Sequence, residues 1–232
     1  MITLADLLAK PQQLHRSIAG TLVNMGLSAD ALGFIDAHVG PQSHTLETGA
    51  GTSTVLFALK GSQHICITPS AQEIDMIRDF CRANGIDTTG LTSICAPSEH
   101  ALPTLETEPL DLVLIDGRHG FPAPMIDFFY TADKLKVGGH LVIDDVELST
   151  CRYLSNLLAE QPEWQLVAQL SRSAVFQKLA EGSEWTDWTH QPYVLRTSTP
   201  SRARQVITHL RNREFTAIGR KVWRRVAGGR RS

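Results

Sequence analysis

Apolar and polar positions along the middle of the chain follow two rhythms. Five short apolar runs, "HTLET" (44–48), "HICIT" (64–68), "LTSIC" (91–95), "LDLVLID" (110–116) and "GHLVIDD" (139–145), are separated by longer stretches in which apolar residues recur every three or four positions. The first rhythm is that of buried strands, the second that of amphipathic helices. "SAQEIDMIRDFCRANG" is the clearest helix: Ser70 and Glu73 have capping-box spacing at its start, and Gly85 stands where its end wants a left-handed residue. Strand and helix alternating in this way predict a parallel sheet with right-handed crossovers and helices on both faces. Two later runs, "WQLVAQL" (164–170) and "AVFQKL" (174–179), are separated only by "SRS", too short for a crossover, so they predict an antiparallel hairpin. Residues 1–40 read as two or three helices ahead of the sheet, with Ser28 suited to an N-cap. The expected organisation is an N-terminal helical segment (1–40), an α/β domain (41–181) and a C-terminal extension (182–232).

Composition narrows this picture. At 232 residues and 42% hydrophobic content the chain can furnish one well-packed core. No N-terminal stretch has a signal-peptide pattern, and no window approaches the roughly 18 apolar residues of a membrane span, so a cytoplasmic protein is expected. Cys66, Cys81, Cys95 and Cys151 show no metal-binding spacing and read as buried reduced thiols. Net charge is −2 but unevenly spread. Residues 202–232 hold ten Lys/Arg and one acid, Glu214, which leaves twelve Lys/Arg against 23 acids in the rest. Within this tail Val206, Leu210, Phe215, Ile218, Val222 and Val226 fall at near-helical spacing among arginines, the pattern of a basic amphipathic helix. Such a tail can meet an anionic membrane, nucleic acid or another polyanion, or fold onto its own acidic body. Trp185, Trp188, His190 and Tyr193 suit a substrate lid, an oligomer contact or an ordinary aromatic-rich loop.

Ligands gather at the carboxyl ends of strands in an open parallel sheet, so the residues that close each run are the candidates for chemistry. The first run closes with "LETGAGTST", in which Gly49 and Gly51 permit a tight turn and Thr52 or Ser53 can open a helix toward a ligand. A dinucleotide fingerprint would need glycine where Thr54 stands, which disfavours nicotinamide. The fourth and fifth runs end at Asp116 and at Asp144–Asp145. If those strands are neighbours, the three carboxylates converge, and oxygen ligands of this kind favour Mg²⁺, Ca²⁺ or Mn²⁺. His119, three residues past Asp116, would then stand where it can take a proton from a bound hydroxyl. The plainer alternative stays open: Asp144 or Asp145 caps a helix near Glu147, Asp116 holds a turn, and His119 is a surface histidine.

"LETGAGTST", "DLVLIDGRHGFPAPMID" and "LKVGGHLVIDDV" resemble motifs of class I S-adenosylmethionine-dependent methyltransferases, in particular a bacterial branch reading D-G-x-H, an acid eight residues on, L-x-P-G-G and D-D. The match comprises Asp116, Gly117, His119, Asp127, Gly138, Gly139, Asp144 and Asp145, with Val137 in place of proline, and spans about residues 44–180. The resemblance implies a Rossmann-like, doubly wound seven-stranded sheet, mostly parallel with an antiparallel terminal hairpin. It implies that Glu47, Gly49 and Gly51 line the methionine part of the cofactor, that Ser98 lies near the adenine, and that Asp116 lies near the methionine moiety or binds metal. Some related sugar and small-molecule O-methyltransferases hold Mg²⁺ with acids at the ends of strands four and five and use a nearby histidine as base, which implies metal roles for Asp116, Asp144 and Asp145 and a base role for His119. Relatives often dimerise.

Two positions depart from the family pattern. The second run ends at Thr68, where an acid normally receives both ribose hydroxyls, and Pro97 stands where relatives often carry an adenine-side Asp. Ser70 or Gln72 are the compensating side chains the sequence offers. Methylation of a small-molecule or sugar hydroxyl is the leading reading. The alternatives are a non-catalytic relative whose tail binds a polyanion and a tail-guided nucleic-acid methyltransferase, the latter lacking an N/D-P-P-Y/F tetrad after the fourth run. A dehydrogenase is disfavoured by Thr54.

Overall fold

The computed structural model describes residues 2–9, 14–16, 22–23, 26–182 and 187–198. Two compact units divide the chain after Thr186. The smaller contains, among its described residues, a single-turn 3₁₀ helix at Trp188–His190 and helix α8, Pro192–Ser198, so Trp185 and the basic tail lie outside the described residues. In the larger unit, α1 (Leu4–Ala9) and α2 (Ala29–His38) bracket a two-residue antiparallel pair, β1 (His15–Arg16) and β2 (Leu22–Val23), where the sequence predicts only helix.

The remaining elements alternate: β3 (His44–Thr48), α3 (Thr52–Leu59), β4 (Gln63–Thr68), α4 (Ala71–Ala83), β5 (Leu91–Cys95), α5 (Ser98–Ala101), β6 (Leu110–Ile115), α6 (Ala123–Thr131), β7 (Leu135–Ile143) and α7 (Ser149–Leu158). The hairpin β8 (Trp164–Gln169) and β9 (Ala174–Lys178) follows. Seven strands form one sheet in the order β5-β4-β3-β6-β7-β9-β8. The first five are parallel, and β9 inserts antiparallel between β7 and β8. This is the expected Rossmann-like architecture. The strand order reverses direction between β3 and β6, the position at which such a sheet opens a cleft above its strand ends.

The central strands β3, β6 and β7 are buried on both faces where the helices cover them, whereas the edge strands β5 and β8 are largely exposed. Cys66, Leu112, Leu114 and Val142 pack under α2, α3 and α4 through Ile35, Val55 and Ile77. Leu46, Val113, Ile115 and Ile143 pack against α6 and α7 through Phe128, Leu154 and Leu158. Three cysteines are buried as expected; Cys95, at the end of β5, is exposed. Lys178 is buried, and its ammonium is satisfied by the carbonyls of Ala132 and Leu135 and by the Glu181 carboxylate.

Candidate functional site

A cleft of about 670 Å³ opens at the carboxyl ends of β3, β4, β6 and β7. Its size is that of a site for a nucleoside-sized ligand. Gly49, Thr68, Ser98, Asp116, His119, Asp144 and Asp145 all line it. The turn after β3 forms one wall. Gly49 has φ +100°, and a Cβ there would stand 2.3 Å from the Asp116 carbonyl oxygen, so only glycine allows the β3 and β6 turns to touch. Its N–H donates to the Ile67 carbonyl of β4 at 2.9 Å, tying the turn to the next strand.

Glu47, Gly51, Thr52 and Ser53 stand behind this wall, and none of them lines the cleft. Glu47 lies on the face of β3 that looks into α3. Its carboxylate accepts from Ser53 Oγ at 2.6 Å, from Thr54 Oγ1 and from His64 Nε2 at 3.1 Å, and it is wholly buried. His64 is in turn held by Thr45 and stacked on Phe57. The Thr54 hydroxyl also accepts from Gly51 N at 2.9 Å. These residues brace the glycine turn from inside.

The adjoining wall is acidic and carries the histidine. His119 Nε2 lies 3.7 Å from Asp116 Oδ1 and 3.6 Å from Asp145 Oδ2, and it is buried with no hydrogen-bond partner. Thr150 holds the loop by donating to the His119 carbonyl. Burial pushes Asp116 up to about 7, aided by the charges of Asp144 and Glu47. Asp116 beside it raises His119 above the ordinary imidazole value, against a partial desolvation that works the other way. Asp144 is fully buried and raised by desolvation. Neither Asp144 nor Asp145 caps α7, which begins at Ser149 behind Leu148; Asp145 itself is left-handed, with φ +50°.

Arg172, unforeseen from the sequence, faces these acids. Its Nη2 lies 3.5 Å from Asp144 Oδ2 and its Nε 3.6 Å from Asp145 Oδ1, while Ser173 donates to Asp144 Oδ1. Both residues sit on the "SRS" turn, which antiparallel pairing of Ile143 with Ala174 brings beside the end of β7. Asp30, at the start of α2, accepts from Ser171 N and Oγ at 2.7 Å and anchors that turn. Beneath the cleft the Asp127 carboxylate is fully buried, with Ser98 and Thr48 as its polar neighbours, and burial raises it.

Residues 46–146 match a family model described as a methyltransferase domain. These residues carry a methyltransferase domain. No curated protein matches its sequence. Among solved structures, the chain resembles cofactor-bound Rv0187 from MTB at 19% identity and TM-score 0.61, over 70% of this chain and 86% of that one. It resembles the O-methyltransferase TomG from Streptomyces achromogenes, in complex with SAM, at 17% identity and TM-score 0.61, over 75% and 90%. A third likeness is the SAH-bound methyltransferase PaMTH1 of Podospora anserina, at 16% identity and TM-score 0.52, over 66% and 77%. At these identities the likeness is one of fold. Among the described residues no helix is long and apolar enough to cross a membrane.

Proposed function

We propose that the chain is an S-adenosylmethionine-dependent methyltransferase that transfers a methyl group to a hydroxyl of a small-molecule or sugar acceptor, with His119 as general base. The observation that carries this reading is the placement of His119 Nε2: buried, lacking a hydrogen-bond partner, and flanked by two carboxylates on the wall of the cleft. The cleft suits the cofactor, since its volume matches and Gly49 leaves backbone, not side chain, along one wall. Bound S-adenosylmethionine supplies a methyl carbon on a sulfonium, which leaves as a neutral sulfide without needing an acid. The chain's task is therefore to orient the acceptor and remove its proton. On methylation the acceptor hydroxyl would give its proton to His119 Nε2, and Asp116 and Asp145 would stabilise the resulting imidazolium. Gly49 and the cleft residues of β4 belong to the cofactor in this reading, with Ser98 on the adenine side.

A divalent ion suits the chemistry of Asp116, Asp144 and Asp145 but not their placement. Among the described residues no three His, Cys, Asp or Glu side chains are grouped to hold a metal. Arg172 and Ser173 engage Asp144, and the Arg172 guanidinium is the cation facing Asp145. We assign the balancing charge to Arg172 and take no step through a metal.

Calorimetric titration with S-adenosylmethionine and S-adenosylhomocysteine, with and without Mg²⁺, tests the cofactor site, and transfer to a panel of hydroxyl acceptors tests the reaction. Micromolar binding unaffected by chelator is expected. Absence of binding by folded protein would sink the reading. Transfer lost on chelation and restored by Mg²⁺ would instead put the ion among the three aspartates and move Arg172 aside.

A further inference from the structure

We propose that Glu73 on α4, steadied by Thr68, supplies the carboxylate that receives the ribose hydroxyls of S-adenosylmethionine. The inference rests on the cleft being the cofactor site and assigns one part of it. The cofactor's ribose presents two adjacent hydroxyls, and a single carboxylate can accept from both through charge-assisted hydrogen bonds. Five carboxylates line the cleft: Glu73, Glu99, Asp116, Asp144 and Asp145. The three aspartates surround His119 and Arg172, where proton removal takes place. Glu99 is bound to the Arg118 guanidinium at 2.6 Å. Glu73 stands apart from both groups, on the wall built by β4 and the first turn of α4, next to the strand to which the glycine turn is tied.

Local hydrogen bonds fix this carboxylate. Ser70 Oγ accepts from Glu73 N at 3.2 Å and sets the first turn of α4. Thr68, buried at the end of β4, donates its hydroxyl to Glu73 Oε2 at 3.0 Å and accepts from Ser70 N at 3.3 Å. With its proton given to Glu73, the Thr68 hydroxyl is a support for the acid. The strand end that lacks a carboxylate thus borrows one from the helix that follows it. The capping-box spacing in the sequence located Glu73 as a helix start; the Thr68 bond and the cleft give it a second task.

Titrating the full chain with S-adenosylhomocysteine and with its 2′-deoxy analogue reads this task directly. The unmodified protein is expected to favour the intact ribose by about tenfold to a hundredfold. Glu73→Gln should abolish that preference, and adding Thr68→Asp to it should restore the preference by returning a carboxylate to the strand end. Glu73→Asp keeps an acid at the helix start but shortens its reach, so it too should lose the preference, whereas a purely capping role would leave it intact. Full preference retained in either Glu73 variant overturns the assignment. Failure of the unmodified protein to bind either ligand overturns the cofactor reading itself, a result distinct from a loss confined to the variants.

Discussion

A histidine takes a proton from a hydroxyl only while its ring is neutral, and Asp116 makes the neutral ring of His119 harder to reach as pH falls. Transfer should therefore rise with pH through a limb above the ordinary imidazole value of about 6.5. Asp116→Asn removes the group that raises His119, so the limb should move to lower pH, as a pH–rate profile will show; an unmoved limb would assign it to another group. His119→Ala should lower kcat by about 10²- to 10⁴-fold while leaving S-adenosylhomocysteine affinity little changed in calorimetry. At this scale the placement of Asp116, His119, Asp144 and Asp145 on one cleft was legible, because a parallel sheet delivers all its strand ends to one edge. Glu47 was not. It shares the face of β3 with Thr45, opposite core Leu46, and its partner His64 comes from a neighbouring strand whose pairing the sequence does not state. Parity along the run indicates a face, but not what covers it.

The turns after β3 and β6 are built against each other, so a change in one is felt in both. Gly49→Ala would force a methyl onto the Asp116 carbonyl and hold a non-glycine residue at φ +100°. Because both sides of that contact are backbone, a loss of about 2 kcal/mol or more is expected in denaturant unfolding, together with loss of cofactor binding. Asp127 on α6 carries the opposite expectation. Its folded-state pKa is raised by burial, so its contribution is favourable below the unfolded carboxylate range and is lost as pH rises through the folded value. Asp127→Asn should thus stabilise the fold by roughly 1 kcal/mol at neutral pH and by little near pH 4, read from unfolding curves at both. The same scale shows where the pattern of the chain misled. β7 starts at Leu135, four residues ahead of the apolar run read from Gly139; Gly139 lies too close to Leu135 and Asp111 for a side chain, and the register with β6 shifts between Leu110 and Leu112. Arg172 escaped notice because a three-residue turn says nothing about which strand its hairpin will pair with.

Over the whole molecule the charges separate, with twelve Lys/Arg against 23 acids in residues 1–201 and ten Lys/Arg against Glu214 alone in 202–232. A segment so basic either releases counterions from an external polyanion or neutralises the chain's own acidic surface, and the two leave opposite marks. If the partner is external, the full chain should be retained on heparin, used as a polyanion probe, with affinity falling steeply as salt rises. Replacing Arg224, Arg225, Arg230 and Arg231 with Gln should then flatten that salt dependence and leave the melting temperature unchanged. If the tail answers the acidic body instead, the same substitutions should lower the melting temperature at low salt, where the pairing is least screened, and leave heparin retention weak throughout. We expect the first outcome, because apolar residues recur at near-helical spacing among the tail's arginines, the sequence pattern of a surface-binding segment. In neither case should kcat on a small acceptor change, since the groups assigned to proton removal, His119, Asp116, Asp145 and Arg172, all belong to the α/β unit.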